Sequence, residues 1–213
     1  MIAPHAAEPV RCLHVRAEEA TAAAQSLLGG DALLAVGIDG PLRPDLTLTR
    51  AGRACERRLL RAPFHRHCKP GSTAAPMGQR LHAEATRLAR DVRATHPQAR
   101  LVEAFPSAFL RTMLDADACR DIPRGRKSQV YWERCVTDGV LRRVIGSLYR
   151  GAAARIAGPL TRLTHRDERA AAICALTARA AALEVATPVG DAEDGWIWLP
   201  PRAFLADWAR RAL

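Results

Sequence analysis

Apolar residues along the chain fall into two kinds of pattern, short continuous runs and helical repeats. Residues 33–38 (LLAVGI) and 100–106 (RLVEAFP) are short apolar runs, typical of strands that are covered on both faces. Between them, Met77, Leu81, Ala85, Leu88 and Val92 recur at steps of four, four, three and four, which predicts an amphipathic helix ending before Pro97. Alternation of such strands and helices predicts a layered α/β domain.

The remaining pattern adds more helices and one aromatic strand. We predict helices at residues 15–28, 55–60, 106–114, 131–149 and 164–185, a strand at residues 194–201 (DGWIWLPP), and a terminal helix that begins at Pro201. The chain has 213 residues, which suits a single domain spanning residues 1–213 with a core large enough to need no disulfide or metal.

Acidic residues occupy special positions in this pattern. Asp39 and Glu103 each close an apolar strand, and Asp167 with Glu168 falls in the first turn of an Ala-rich helix. Carboxylates at such positions can converge, and clustered carboxylates are hard oxygen ligands suited to Mg²⁺ or Mn²⁺. Two such ions would activate water and stabilise the leaving oxygen in phosphodiester cleavage.

Each acid also has an ordinary structural explanation. Asp39 before Gly40 fits turn chemistry as well as it fits a metal site. Glu103 lies among apolar residues and would need a partner if buried, which favours a functional role. Thr164 and Asp167 have the spacing of a capping box, which would explain Asp167 without chemistry.

The charge of the chain points to an anionic partner. It has 32 Lys and Arg against 22 Asp and Glu, a formal charge of +10, so we expect a positive field that attracts nucleic acid. An Arg-rich composition can also reflect generic helix-surface use of arginine. The six cysteines show no paired spacing and no apolar span suggests a membrane segment, so we expect a cytoplasmic protein with no membrane partner.

An ordered set of short motifs resembles one protein family. The motifs are AVGIDGPL, RACERRL, HCKPGS, LVEAFPSA, DERAAAICALTA and GWIWLP. In this order, over about residues 11–200, they are similar to an uncharacterised bacterial and archaeal family, a domain of unknown function described as predicted nucleases with an RNase H-like fold. The resemblance implies a mixed sheet flanked by helices and a metal-dependent nuclease.

The resemblance also implies roles for individual residues. Asp39, Glu103 and Asp167 match the family's acids and are the predicted catalytic and metal-binding residues, with Glu168 as a further metal ligand. The predicted substrate-binding residues match a polar and a basic family motif, and they are Arg53, Glu56, Arg126 and Lys127. The implied cofactor is Mg²⁺ or Mn²⁺, and the implied substrate is nucleic acid.

The chain departs from the family pattern in two places. Family members begin with a strand bearing a Gly-x-Asp motif and a second paired strand, so we expect the RNase H-like sheet to be shortened at its N-terminal side. Some relatives have Asp where this chain has Ala170. The alternatives are therefore a catalytically impaired domain that binds nucleic acid or protein, or a domain that binds a small phosphorylated metabolite. An exposed sheet edge left by the shortening would suit a homodimer.

Overall fold

A four-stranded mixed sheet organises the chain. The computed structural model describes residues 1–43, 52–66, 68, 70–119 and 122–213. The strand order is β1-β2-β4-β3, where β1, β2 and β4 run parallel and β3 runs antiparallel to β4. The strands are β1 (Ala35–Ile38), β2 (Arg100–Ala104), β3 (Ala186–Asp191) and β4 (Gly195–Pro201).

Helices supply the other layers of the fold. They are α1 (Ala20–Leu28), α2 (Ala54–Leu59), α3 (Pro76–Thr95), α4 (Pro106–Thr112), α5 (Lys127–Thr137), α6 (Val140–Leu148), α7 (Ala153–Thr161), α8 (Arg166–Ala182) and α9 (Asp207–Ala212). None of the helices in the described ranges is both long and apolar enough to cross a membrane.

The two faces of the sheet are covered by different helices. On one face, Ile38 of β1 packs with Ala85 and Ala89 of α3. On the other face, Val102 of β2 packs with Ala178 of α8. Ala85, Leu88 and Val92 of the α3 stripe and the small residues of α8 therefore pack inward as their sequence patterns predict, and β1 and β2 are covered on both sides. The first two residues of the predicted stripe, Met77 and Leu81, are instead 66% and 48% exposed.

One glycine sets the spacing between β1 and α8. A Cβ atom built on Gly37 would lie 2.1 Å from the carbonyl oxygen of Cys174, a backbone atom that cannot swing aside. Glycine at this position lets β1 and α8 approach more closely than any other residue would allow. The first turn of α8 is thereby held beside the carboxyl end of β1.

A second layer of helices packs on the outer side of α8. The largest cluster of buried apolar side chains lies among α4, α5, α6, α7 and α8, and it includes Phe109, Trp132, Leu141, Ile156 and Ile173. The predicted mixed α/β architecture, with helices flanking the sheet, is confirmed. The two faces position the residues considered below.

Several boundaries differ from the sequence prediction. The helix predicted at residues 131–149 is two helices, because Gly139 adopts a left-handed φ of 68° between α5 and α6. Pro201 ends β4 and does not begin the last helix, which starts at Asp207. The strand β3 and the helix α7 were not predicted, since Pro188 and Pro159 interrupt their patterns.

Candidate functional site

The pleat of the sheet separates the two strand-end acids. Ile38 and Glu103 are register partners in parallel strands, so their side chains point to the same face, the one covered by α3. Asp39 is the next residue along, and its electrostatic neighbours Arg166 and Cys174 belong to α8 on the opposite face. Asp39 and Glu103 thus share one end of the sheet but lie on opposite sides of it.

Glu103 belongs to a buried ion cluster with Arg53. The two terminal nitrogens of Arg53 donate to the two carboxylate oxygens of Glu103 at 2.7 and 2.6 Å, and Nε donates to Oε1 of Glu56 at 3.0 Å. Arg53 and Glu103 are each 6% exposed and Glu56 is 1% exposed. One guanidinium therefore bridges two buried carboxylates, with paired bonds of the strong, charge-assisted kind.

Backbone groups complete this ion cluster. Oε1 of Glu56 also accepts from the amide of Thr73 at 3.2 Å and from its hydroxyl. Oε2 of Glu56 accepts from the amide of Arg53 at 3.3 Å, which closes the first turn of α2. Asp194, from the turn between β3 and β4, accepts from the amide of Ala54 at 2.8 Å. Four separate segments of chain meet at the start of α2.

Burial and the ion pair act in opposite directions within the cluster. Burial is the largest single influence and lowers the pKa of Arg53, but the bonds and negative charge of Glu103 and Glu56, together with the effect of Cys55, outweigh it and raise that pKa above its ordinary value. Burial raises the pKa of Glu103, and Arg53 opposes the change. Burial also raises the pKa of the Cys55 thiol to about 12, so this cysteine is a neutral packing residue at neutral pH.

Asp39 lies in a different environment, on the wall of a large cleft. The cleft has a volume of about 1000 Å³ and is formed by residues 1–15, α1, β1, α3 and α8. Asp39 as a residue is exposed, yet the partial burial of its carboxyl group raises its pKa to about 6, against the opposing effect of Arg166. A carboxyl group with such a pKa changes charge close to physiological pH.

The first turn of α8 brings two more acids to the same cleft. Asp167 and Glu168 both line it, and Asp167 has a side chain that is 75% exposed. The predicted cap at Thr164 is wrong: His165 is the N-cap, and its Nδ1 accepts from the amide of Asp167 at 3.3 Å. Glu168 lies 3.3 Å from Nε2 of His14. Capping therefore does not occupy the Asp167 carboxylate.

The predicted acids are divided between two places. Asp39, Asp167 and Glu168 line the cleft, whereas Glu103 is buried against Arg53. Within the part of the chain that the structure describes, no group of three or more His, Cys, Asp or Glu side chains is arranged to hold a metal ion. The cleft acids nonetheless supply hard oxygen donors, and Mg²⁺ is commonly held by one or two carboxylates together with waters and substrate phosphates.

The predicted substrate-binding residues are also divided. Arg53 and Glu56 lie inside the buried ion cluster, where they are 6% and 1% exposed. Arg126 is exposed and Lys127 half-buried at the start of α5, apart from both the cleft and the cluster.

Three residues that matter to these sites were not predicted from the sequence. Thr73 and Asp194 bind the start of α2, and Arg166 faces Asp39. The position of Arg166 next to the predicted acids of α8 was the available signal for that residue. Thr73 and Asp194 are distant from α2 along the chain, and no local pattern marks them.

Comparison with other proteins adds nothing to this geometry. No protein-family model, curated protein or solved structure matches the chain. The resemblance to an RNase H-like family therefore stays a prediction, and function is inferred from the residues and their arrangement.

Proposed function

We propose that this protein is a metal-dependent phosphodiesterase that acts on nucleic acid, with an RNase H-like arrangement of its sheet. The observation that carries the proposal is that Asp39, at the carboxyl end of β1, and Asp167 and Glu168, in the first turn of α8, line the same cleft. In open α/β sheets this end is where ligands bind. The charge of +10 suits a polyanionic substrate.

The cleft acids fit Mg²⁺ or Mn²⁺ by their donor chemistry. One or two of the cleft carboxylates of Asp39, Asp167 and Glu168 would hold the ion, and the substrate phosphate and water would complete its ligands. When bound, the ion would supply an activated water and neutralise charge on the phosphate. Arg166 beside Asp39 favours the ionised form of that carboxyl group, the form that can bind a cation.

Glu103 has a positioning role in this proposal. Both oxygens of its carboxylate accept hydrogen bonds from Arg53, so Glu103 holds the start of α2 against β2. The ion would then contact the cleft acids and not Glu103. This differs from the direct metal ligation that the family resemblance implies for Glu103.

The test is a cleavage assay with DNA and RNA, single- and double-stranded, in Mg²⁺ or Mn²⁺. Asp39→Asn is expected to lower the metal-dependent rate by about 100-fold or more, since changes in mere supporting residues of metal sites already cost about 10–100-fold. The matched control is Asp91→Asn on α3, an acid that contacts Arg87 and lies away from the cleft. Equal rates for the two variants would contradict the assigned site.

A second function is favoured by the state of Glu103. Both oxygens of this strand-end acid are bound by Arg53, which suits a domain that binds nucleic acid without cleaving it. Under this alternative the native protein binds DNA or RNA but cleaves none of the substrates with either metal. The absence of both binding and cleavage would contradict both functions.

A further inference from the structure

Three arginines in and just after α2 line a pocket beside the edge strand β3. Arg57 and Arg58 of α2 and Arg61, which follows its end, line a pocket of about 420 Å³ together with Ala54, residues 188–190 and Leu213. All three arginines are exposed. The pocket lies at the β3 edge of the sheet, whereas the cleft lies beside β1 at the opposite edge.

The surrounding protein binds the side chains of Arg57 and Arg58 but leaves most of the charge of the three arginines uncompensated. Arg57 donates to the carbonyl of Gly52 at 2.5 Å and lies 3.7 Å from Asp194. Arg58 donates to the carbonyl of Ala212. Within the described ranges no carboxylate pairs with Arg58 or Arg61. Because a guanidinium has five N–H donors, each arginine keeps donors for an anion.

Arginines of the C-terminal segment extend this surface. The bond from Arg58 to Ala212 joins α2 to α9, which carries Arg210 and Arg211, and Arg202 donates to the carbonyl of Arg210 at 3.4 Å. Asp207 pairs with Arg210 and Arg211. We call this surface the α2–α9 basic face, and it consists of Arg57, Arg58, Arg61, Arg202, Arg210 and Arg211. Asp194 and Asp207 compensate only part of its charge.

The aromatic residue of α9 is not available for stacking on bases. Trp208 is half-buried, its Nε1 donates to the carbonyl of Leu114 at 2.8 Å, and its ring packs against Phe64 with centroids 5.4 Å apart. Single-strand binding surfaces depend on exposed aromatic rings. The α2–α9 basic face instead offers guanidinium groups alone, which bind phosphates.

We propose that the α2–α9 basic face binds the phosphate backbone of double-stranded nucleic acid without reading its sequence. A duplex presents more phosphate charge per unit length than a single strand, which suits a surface that binds by charge. The partner class rests on the proposed function, but the surface is separate from the cleft. Binding at this face therefore requires neither the cleft acids nor a metal ion.

The experiment measures fluorescence anisotropy of a labelled duplex in EDTA, between about 50 and 200 mM salt. The variant is Arg57→Ala/Arg58→Ala/Arg61→Ala. The control is Arg80→Ala/Arg90→Ala/Arg93→Ala, which removes equal charge from exposed positions of α3. Each lost phosphate contact lowers the salt slope by about 1, so the α2 variant should lose about 3 in slope and at least about tenfold in affinity. Unchanged thermal midpoints establish that both variants are folded.

Each outcome has a defined meaning. Weaker binding by the α2 variant alone, equal for duplexes of unrelated sequence, supports the proposal. Equal weakening by both variants, or unchanged binding by the α2 variant, overturns it. Tighter binding to single strands, or binding only to phosphatidylserine vesicles, also overturns it. Metal-dependent cleavage by the native protein without duplex binding in EDTA would overturn the duplex-binding proposal but not the phosphodiesterase proposal. Duplex binding in EDTA without any cleavage would overturn the phosphodiesterase proposal but not the duplex-binding proposal.

Discussion

Replacing Arg53 by alanine should destabilise the fold strongly. The change removes the only guanidinium that contacts Glu56 and Glu103 within the described residues, and leaves two carboxylates that are 1% and 6% exposed. Removing one partner of a buried ion pair typically costs about 3–5 kcal/mol, because the remaining charge stays buried without compensation. Total stabilities of proteins are about 5–15 kcal/mol, so this loss is a large fraction.

The assay is equilibrium urea unfolding followed by circular dichroism, supported by thermal melts. At about 2–4 °C per kcal/mol for a chain of this size, the thermal midpoint should fall by about 6–20 °C. Arg57→Ala is the matched control on the same helix, and as an exposed substitution it should change the free energy of unfolding by no more than about 0.5 kcal/mol.

A double-mutant cycle separates the ion pair from lost packing. Glu103→Gln in the native background places an amide against Arg53, whereas in the Arg53→Met background it removes a carboxylate that has lost its partner. The second change should therefore cost less, with a coupling free energy of about 0.5–3 kcal/mol. A loss below about 1 kcal/mol for Arg53→Ala, or zero coupling, would refute the assignment of Arg53 as the counterion of the cluster.

Three other predictions concern β1 and its surroundings. Burial raises the pKa of Asp39 from 3.8 to about 6. The protonated Asp39 carboxyl therefore contributes its full stabilisation below pH 3.8, and this contribution is lost as the pH rises through about 6. As the pH rises between these two values, the free energy of unfolding of Asp39→Asn should increase relative to that of the native protein, measured by urea titration in EDTA. A difference in unfolding free energy that does not change with pH would contradict the raised pKa of Asp39. Gly37→Ala should lower the free energy of unfolding by about 1–3 kcal/mol, because the added methyl group would overlap the carbonyl of Cys174. The control Gly146→Ala, with no neighbour within 4 Å, should be neutral or stabilising. Equal unfolding midpoints for the two variants would refute the close contact at Gly37. If two copies associate through the β1 edge, as the sequence predicts, light scattering should give a dimer for the native chain and a monomer for Leu34→Lys beside that edge; a native monomer would contradict this association.

Local patterns predicted the elements but not the pairing of distant residues. The steps of four and three predicted α3, and the apolar runs predicted β1, β2 and β4. Strand β3 was missed because Pro188 and Gly190 interrupt an already short run. The break at Gly139 was missed because a helical stripe continues on both sides of it.

The sequence identified the acids of the candidate site, but not their separation between the cleft and the buried ion cluster. Residue type and position marked Asp39 and Glu103 as unusual acids. Which face each one points to depends on the strand boundary and the pleat, and a shift of one residue exchanges the faces. The partner of Glu103 lies 50 residues away in sequence, and such a contact depends on the fold as a whole.

The short helix α2 joins the buried ion cluster to the α2–α9 basic face. Its inward side is fixed by Arg53 and Glu56, its outward side carries Arg57 and Arg58, and Arg61 follows its end. The outer arginines would repel one another, but the cluster beneath them has one more carboxylate than guanidinium and so reduces that repulsion. A ligand would then meet a helix whose backbone is ordered before binding, so association loses little backbone entropy at this surface.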